Sequence, residues 1–285
     1  MKEIVLLGSS GFIGRHLTSK IMPKFQIKSL QHKSKIDLKH KIFSGNILES
    51  GILDKKIHDD AIIVNLIGQY NGDFTNFIDV NFKGGLNILN SAILKKNIKL
   101  ILISSIDVYG ESLKIPSTEN DELNPITLYG VIKSLTEKLY ENFARIYGLD
   151  ITIIRLSHVY GKDKKSGIIG NLIKSLFEKN SISINHNGKQ YRDFIHIDDA
   201  VDGIVRIIQK QKKGFHIVNI CSGKKYTPLK IIQIIKNLSG DSPIFELNDD
   251  KSNEKCVWAD NKKAINEYDF LPKYELGIGL KQQFF

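Results

Sequence analysis

Cysteine is scarce: the chain of 285 residues has two, Cys221 and Cys256, far apart and without the spacing of metal ligands. That excludes a disulfide scaffold and a thiolate metal centre, and it fits reduced, buried thiols in a reducing compartment. Long apolar runs are missing too. The longest, at 100–103 and 151–154, are of strand length, far short of the roughly 18 residues of a membrane span. The first seven residues pass straight into a strand-like run without the layout of a signal peptide, so a cytoplasmic protein with no membrane partner is expected. No internal repeat and no low-complexity segment is present. Net charge is +10, but the lysines are scattered apart from small groups at 162–165 and 210–213. A basic helix with interleaved aromatics is lacking, which argues against nucleic acid and leaves a phosphate-bearing small molecule as the better partner.

What is present is an ordinary globular composition, 41% apolar, in a length that suits one α/β domain with a small appendage. Expected strands at 3–7, 25–30, 41–44, 61–67, 99–103 and 150–156 alternate with helices at 15–22, 82–95 and 127–147. Such alternation predicts α/β architecture: a Rossmann-type doubly wound parallel sheet over 1–160. Beyond it the pattern loosens into a smaller α/β substrate-binding part, 161–285, some of whose segments return to the first. Helices are expected there at 168–178, 200–209 and 228–238, strands at 181–184 and 215–220, and irregular chain from 241 except around 257–260.

The first strand runs into Gly8-Ser9-Ser10-Gly11-Phe12-Ile13-Gly14. Strand, glycine loop and helix in that order form the setting in which a dinucleotide binds: the loop turns tightly, its backbone approaches the pyrophosphate, and the helix N-terminus faces the phosphates. Gly8, Ser10, Gly11, Phe12, Ile13 and Gly14 are the candidate contacts, with G-x-x-G-x-x-G spacing. Gln31 stands just past strand two, where an acid would select NAD; His32 and Lys33 follow. The missing acid and the adjacent base tilt toward the 2′-phosphate of NADP, with Asp37 as a fallback acid, so the expected cofactor is NAD or NADP. Asn46 and Ile47 can cover the adenine edge. Leu66, Ile67 and Gly68 end the fourth strand, where backbone can approach the cofactor. Asn81, at the start of the helix at 82–95, braces the sheet or caps that helix.

Catalytic chemistry is concentrated in Tyr129-Gly130-Val131-Ile132-Lys133. Residues four apart share a helix face, so a phenol and an ammonium stand side by side. The charge of Lys133 favours phenolate over phenol, which lets Tyr129 exchange a proton with a carbinol near neutral pH. Ser105 lies just past the carboxyl end of a central strand, where open α/β sheets bind ligand. Asn124 and Pro125 carry a helix-start signal ahead of Tyr129.

With glycine loop, Ser105 and Tyr129/Lys133 in this order, the chain resembles the extended short-chain dehydrogenase/reductases of the nucleotide-sugar epimerase/dehydratase type. The likeness extends to Ser-Ser-x-x-Val-Tyr-Gly at 104–110, Arg155 with Val159-Tyr160-Gly161, Arg-Asp-Phe-Ile-His-Ile-Asp-Asp at 192–199 and Asn-Ile-Cys-Ser-Gly at 219–223. The resemblance implies an enzyme acting on a nucleoside-diphosphate sugar at C4. Tyr129 would be its acid/base, Ser105 would hold the same oxygen, Lys133 the nicotinamide ribose, and Arg192 the diphosphate unless it pairs with Asp193 or Asp198. It further implies a homodimer through a four-helix interface built from the helices at 82–95 and 127–147. A C4 epimerase is the leading expectation; an NADPH-dependent 4-ketoreductase and a non-catalytic nucleotide-binding member are the alternatives. No metal is implied.

Departures from the family pattern fall in the sugar pocket. Asp107 takes the place of a glutamate or cysteine in relatives, either to remove a proton from carbon or as a solvated turn cap, while Ile106 replaces the aspartate that dehydratases pair with it. His158 stands for the usual asparagine, as a buried structural histidine or as a second acid/base group. The second diphosphate arginine has no counterpart, with Lys251 or Lys255 as stand-ins.

Overall fold

In the computed structural model the described residues are 2–34, 40–68, 74–110, 114–249 and 256–285, without the side chain of residue 74. Seven strands make the main sheet: β1 (Glu3–Leu7), β2 (Gln26–Gln31), β3 (Lys41–Ser44), β4 (Ile62–Asn65), β5 (Lys99–Ser105), β6 (Asp150–Leu156) and β10 (Phe215–Ile220). Their order is β10-β6-β5-β4-β1-β2-β3, and every pairing is parallel. Buried β1 and β4 are apolar along nearly their whole length, as a parallel sheet covered on both faces requires. The chain moves outward from β1 to β3, then returns to β4 beside β1, so the strand order reverses between β1 and β4. A crevice opens at the carboxyl ends of those strands, the place where such sheets take ligands.

Helices cover both faces. On one side α1 (Phe12–Ile21) and α6 (Ile197–Gln209) bury Leu17, Ile21, Ile204 and Ile208 with Ile4, Leu6 and Val218. On the other, α3 (Gly84–Ile93) and α4 (Leu128–Tyr147) bury Ile88, Leu89, Tyr140 and Ala144 with Val5, Leu7 and Leu100. Burial of this kind stabilises by about 25 cal/mol per Å² of apolar surface. Thr127 caps α4, its Oγ1 accepting from the Gly130 amide at 3.2 Å, and Gly148 ends it at φ 67°. The start signal at Asn124-Pro125 lies in the connection, three residues short of the helix.

The remaining elements are a three-stranded sheet of β7 (His158–Tyr160), β9 (Arg192–His196) and β11 (Lys225–Tyr226), a pair of β8 (Ile182–Ile184) with β12 (Phe245–Leu247), and helices α2 (Phe74–Ile78), α5 (Gly167–Glu178), α7 (Pro228–Ser239), α8 (Lys262–Tyr268) and α9 (Leu276–Phe284). The expectation of irregular chain beyond 241 is therefore corrected: one strand and two helices form there. Short as they are, α8 and α9 are held by tertiary burial of Tyr268, Phe270, Leu276 and Leu280, which short helices need in place of intrinsic propensity.

The run at 192–199 ties these parts together. The Asp193 carboxylate accepts from the amides of Ser222 (2.9 Å) and Gly223 (2.8 Å), pinning the chain after β10. Burial pushes Asp193 up to about 6, and the bonds from Ser222 and Gly223 pull against it. Asp199 accepts from the amides of Lys273 and Tyr274 at 2.9–3.0 Å.

Candidate active site

β5 ends on Ser105, whose Oγ accepts from the Asp107 amide at 3.2 Å and caps a 3-10 turn, Ile106–Val108. The first turn of α4 rests on that turn. A Cβ at position 130 would lie 2.6 Å from the Asp107 carbonyl oxygen, so only glycine lets the helix come so near. Tyr129, the residue before it, is thereby carried to the turn that follows the carboxyl end of β5.

One turn later Lys133, 3% exposed, places Nζ 5.8 Å from the centroid of the Tyr129 ring and donates to the Ile103 carbonyl at 3.0 Å. The four-residue spacing thus sets the ammonium over the face of the Tyr129 ring. Burial pulls the Lys133 ammonium down to about 8, and the charge of Glu137 works against that shift. Glu137 stands one further turn along the same face. It accepts from Arg155 (Nη2 to Oε2 2.7 Å, Nε to Oε2 3.1 Å) and from the Ser104 hydroxyl, and both members of the ion pair are at most 4% exposed. Arg155 also donates to the Tyr109 hydroxyl at 2.9 Å, which in turn donates to Asn219 at 2.7 Å. Sequence reasoning passed over Glu137; its signal was the third place in the series 129, 133, 137, one helix face repeated every four residues.

The glycine loop is as tight as its composition predicted. Gly8 has φ 88°, and a Cβ there would meet the Ile67 amide nitrogen at 3.0 Å; a Cβ on Gly14 would lie 2.2 Å from the Gly8 carbonyl oxygen. No side chain caps α1 at Gly11, which leaves the first-turn amides to a ligand. Ser10 is half-buried, its carbonyl accepting from Arg15 at 3.3 Å, and Phe12 and Ile13 pack on the core beside α1. Leu66 and Ile67 lie against Gly8, with the Ile67 amide donating to Asn65 Oδ1 at 3.0 Å.

Gly68 follows. A Cβ there would sit 3.2 Å from Lys133 Nζ and 3.7 Å from Asn81 Oδ1, so bare backbone, ammonium and amide converge at one point. Asn81 is not at a helix start. It lies in a π-helical turn, Asp79–Lys83, between α2 and α3, with Nδ2 donating to the Phe77 carbonyl at 2.9 Å. Such wide turns recur at functional sites because they push a residue out of the regular ladder.

At the far edge Gln31 ends β2 and Lys33 is exposed, while Asp37 lies outside the described residues. Asn46 Oδ1 accepts from the Leu48 amide at 3.1 Å, and the buried Ile47 offers its carbonyl to Asn87 at 2.8 Å, which anchors that turn to α3.

His158 and Asp107, read separately in the sequence, are brought together: His158 Nε2 lies 3.5 Å from Asp107 Oδ1, and His158 Nδ1 lies 3.3 Å from the Asp193 carbonyl. Asp107 is 6% exposed, so it is not a solvated turn residue. Arg192 is two residues before Phe194, whose ring is 5.7 Å from that of His158; strand alternation puts Arg192 and Phe194 on one face. Its Nη2 donates to Gln190 at 3.0 Å, its Nε is buried with no partner, and among the described residues it makes no ion pair, so the alternative pairing with Asp193 or Asp198 is not found. Lys251 and Lys255 lie outside the described residues, where no group of three metal-ligating side chains otherwise occurs. Cys221 is buried and Cys256 half-buried; both are free.

These residues fit a dinucleotide: a loop with no room for side chains, uncapped amides at α1, and Lys133 with Asn81 beside the bare backbone of Gly68. Comparison with known proteins agrees. A UDP-glucuronate 4-epimerase of Thermodesulfobacterium geofontis is 32% identical over 219 residues, 72% of this chain and 64% of that protein. An uncharacterised UDP-glucose epimerase of Bacillus subtilis is 26% identical over 305 residues, 99% of this chain and 96% of its own. Among solved structures, UDP-glucuronic acid 4-epimerase from Bacillus cereus in complex with UDP-glucuronic acid and NAD superposes with a TM-score of 0.90 at 25% identity, covering 99% of this chain and 98% of that one. The model of the NAD dependent epimerase/dehydratase family matches residues 4–221, and to that family this chain belongs.

Proposed function

We propose that the chain is a C4 epimerase of a nucleoside-diphosphate sugar that keeps NAD bound. The observation that carries this reading is the seat of Tyr129 and Lys133: a half-buried tyrosine ring under a buried ammonium, on a helix whose first turn rests on the turn that follows β5. The relatives named above, a UDP-glucose epimerase, a UDP-glucuronate 4-epimerase and a UDP-glucuronic acid 4-epimerase complex with NAD, support it.

The glycine loop and the amides of α1 would hold the pyrophosphate, Asn46 and Ile47 would border the adenine, and Lys133 with Asn81 and Gly68 would hold the nicotinamide ribose. When bound, nicotinamide supplies a hydride acceptor that can return the hydride to either face of a planar ketone. Ser105 donates to the C4 oxygen and orients it. Tyr129 takes the hydroxyl proton as the C4 carbon is oxidised and gives it back on reduction. Lys133 places a positive charge beside the phenol oxygen throughout, which favours the form that accepts the proton. Arg192, with an unpartnered buried Nε, takes the diphosphate, and the part from 161 onward closes over the sugar. Exposed Leu128, Val131, Leu135 and Ile146 on α4, with Leu94 after α3, support a homodimer through these helices. We place the protein in the cytoplasm, in nucleotide-sugar supply for polysaccharide synthesis.

A second reading, an NADPH-dependent 4-ketoreductase, is favoured by Gln31 and the exposed Lys33 at the end of β2. The two separate in one experiment. Nucleotide released from the denatured protein is identified, and UDP-glucose and UDP-glucuronic acid are incubated with the native protein and followed by NMR. Released NAD with C4 inversion is the expected result; a protein isolated empty that consumes NADPH against a 4-keto sugar overturns it. A purely nucleotide-binding role predicts neither reaction.

A further inference from the structure

Lys133 is wholly buried, and an ammonium taken out of water tends to give up its proton. The Ile103 carbonyl accepts one of its N–H groups at 3.0 Å, and a neutral acceptor offsets only part of the lost hydration. The groups around it are the Tyr129 ring and Glu137 on its own helix, the Ile103 carbonyl of β5 and Asn81 of the π-helical turn. Tyr140, further along α4, is neutral, its hydroxyl accepting from Asn65 at 3.2 Å. Arg155 of β6 is reached through Glu137. Glu137 is therefore the one carboxylate in this set, and it does not touch Lys133. Its Oε1 accepts from the Ser104 hydroxyl and its Oε2 from Arg155, Nη2 at 2.7 Å and Nε at 3.1 Å; among the described residues no ion pair joins it to Lys133. Sheet order sets the charges in a row. Lys133 reaches β5 and the backbone of Gly68 just past β4, whereas Arg155 stands on β6, across β5, with Nη1 turned to the Tyr109 hydroxyl. Glu137, bonded to Ser104 and Arg155, lies between the two cations, one helical turn from Lys133.

Resting on the epimerase reading above, we infer that Glu137 is a positioning residue of the reaction: without contact, its carboxylate keeps Lys133 charged over the Tyr129 ring. Residues four apart on a helix face are about 5–6 Å apart, and in a buried setting a unit charge at that range is felt strongly. The guanidinium on the far side of the carboxylate cancels part of this field and leaves the nearer, negative charge in excess at Lys133. Burial and Glu137 pull the ammonium in opposite directions, which leaves it at about 8. Arg155 and Ser104 hold the carboxylate in place, so the network that ties α4 to β5 and β6 also sets the charge state of the lysine. A lysine that lost its proton would no longer favour phenolate on Tyr129.

The test reads the Lys133 proton itself, by NMR of the protein as purified after growth on carbon-13 lysine. The Cε signal missing from Lys133→Met is that of Lys133, and its titration is followed from pH 6 to 10. The natural chain is expected to titrate at about 8. Glu137→Gln keeps the shape and an acceptor for Arg155 but removes the charge, and should lower the midpoint by at least about one pH unit, a tenfold loss of proton affinity. The alkaline fall of C4 inversion of UDP-glucose should move down with it. Glu137→Leu combined with Arg155→Met removes both charges and should lower the midpoint as well, because the nearer charge is the carboxylate; a merely structural Glu137 would leave it in place. A midpoint unchanged or raised in either variant overturns the inference, and the paired variant decides if Glu137→Gln does not fold. So does a Lys133 already neutral at pH 7 in the natural chain, whether or not the variants fold. A midpoint that falls as stated, with neither UDP-glucose nor UDP-glucuronic acid inverted at C4, supports the role of Glu137 on Lys133 and overturns the epimerase reading alone.

Discussion

Replacing Lys133 by methionine should make the protein more stable at neutral pH while abolishing turnover. The ammonium is wholly buried, and its ordinary value of 10.5 falls to about 8, with burial as the main cause. That drop corresponds to roughly 3 kcal/mol by which the charged form is disfavoured in the folded state at pH 7. Methionine fills similar volume without charge and forfeits the bond to the Ile103 carbonyl, a loss of about 1 kcal/mol. A net gain of roughly 2 kcal/mol follows, equivalent to a melting temperature higher by roughly 4–8 °C for a chain of this size. The sign can be checked against pH. Between about 8 and 10.5 the unfolded lysine keeps its proton while the folded one has lost it, so the unfolded state binds more protons and stability rises with pH across that window. Lys133→Met should lack this rise, and the two proteins should converge toward pH 10.5. Urea denaturation followed by circular dichroism at pH 7, 8, 9 and 10 reads both effects. A variant less stable than the natural chain at pH 7, or a difference between them that does not change with pH, would refute the reasoning.

Tyr129→Phe should lower kcat by about 10²- to 10⁴-fold with nucleotide binding retained, and a variant of undiminished activity would remove the phenol from the reaction. Arg155→Met strands the Glu137 carboxylate, 4% exposed, and should cost about 3–5 kcal/mol in denaturant titration. Pairing it with Glu137→Leu should recover most of that loss, because an apolar pair of similar volume leaves no buried charge. Gly14→Ala puts a Cβ 2.2 Å from the Gly8 carbonyl oxygen and should weaken nucleotide binding at least about 10-fold by prising the loop from α1. Gly277→Ala, whose Cβ would meet nothing nearer than 3.7 Å, serves as the silent control in the same titration.

Local chemistry was legible wherever it repeats at short range. The strands Glu3–Leu7, Lys41–Ser44, Asp150–Leu156 and Phe215–Ile220 lie within one residue of where apolar runs and flanking glycines put them, or on them. Thr127 and Thr227 both cap helices, each accepting an amide bond three residues on. The bounds of α4 agree with the expected 127–147, but its cap is Thr127 and not Asn124, because a cap signal and its helix need not be adjacent when a connection can carry the same residues. Likewise α8 and α9 escaped notice: their apolar positions become a stripe only against residues distant in the chain, Ile204 and Ile208 for α8, Tyr160 and Ile231 for α9.

By itself, then, the sequence determined the strand–glycine–helix opening, the phenol four residues from its lysine and the serine at a strand end, since each depends on contacts within a few residues. Only the tertiary structure decided that Glu137 meets Arg155, that Asn81 and Lys133 converge on Gly68, and that Asp107 meets His158. Those contacts join residues 13 to 65 positions apart, on strands, helices and turns whose neighbours are set by sheet order and by which faces the core buries. A one-dimensional pattern holds residue types and spacings; the electrostatic partner of a buried charge is chosen by packing.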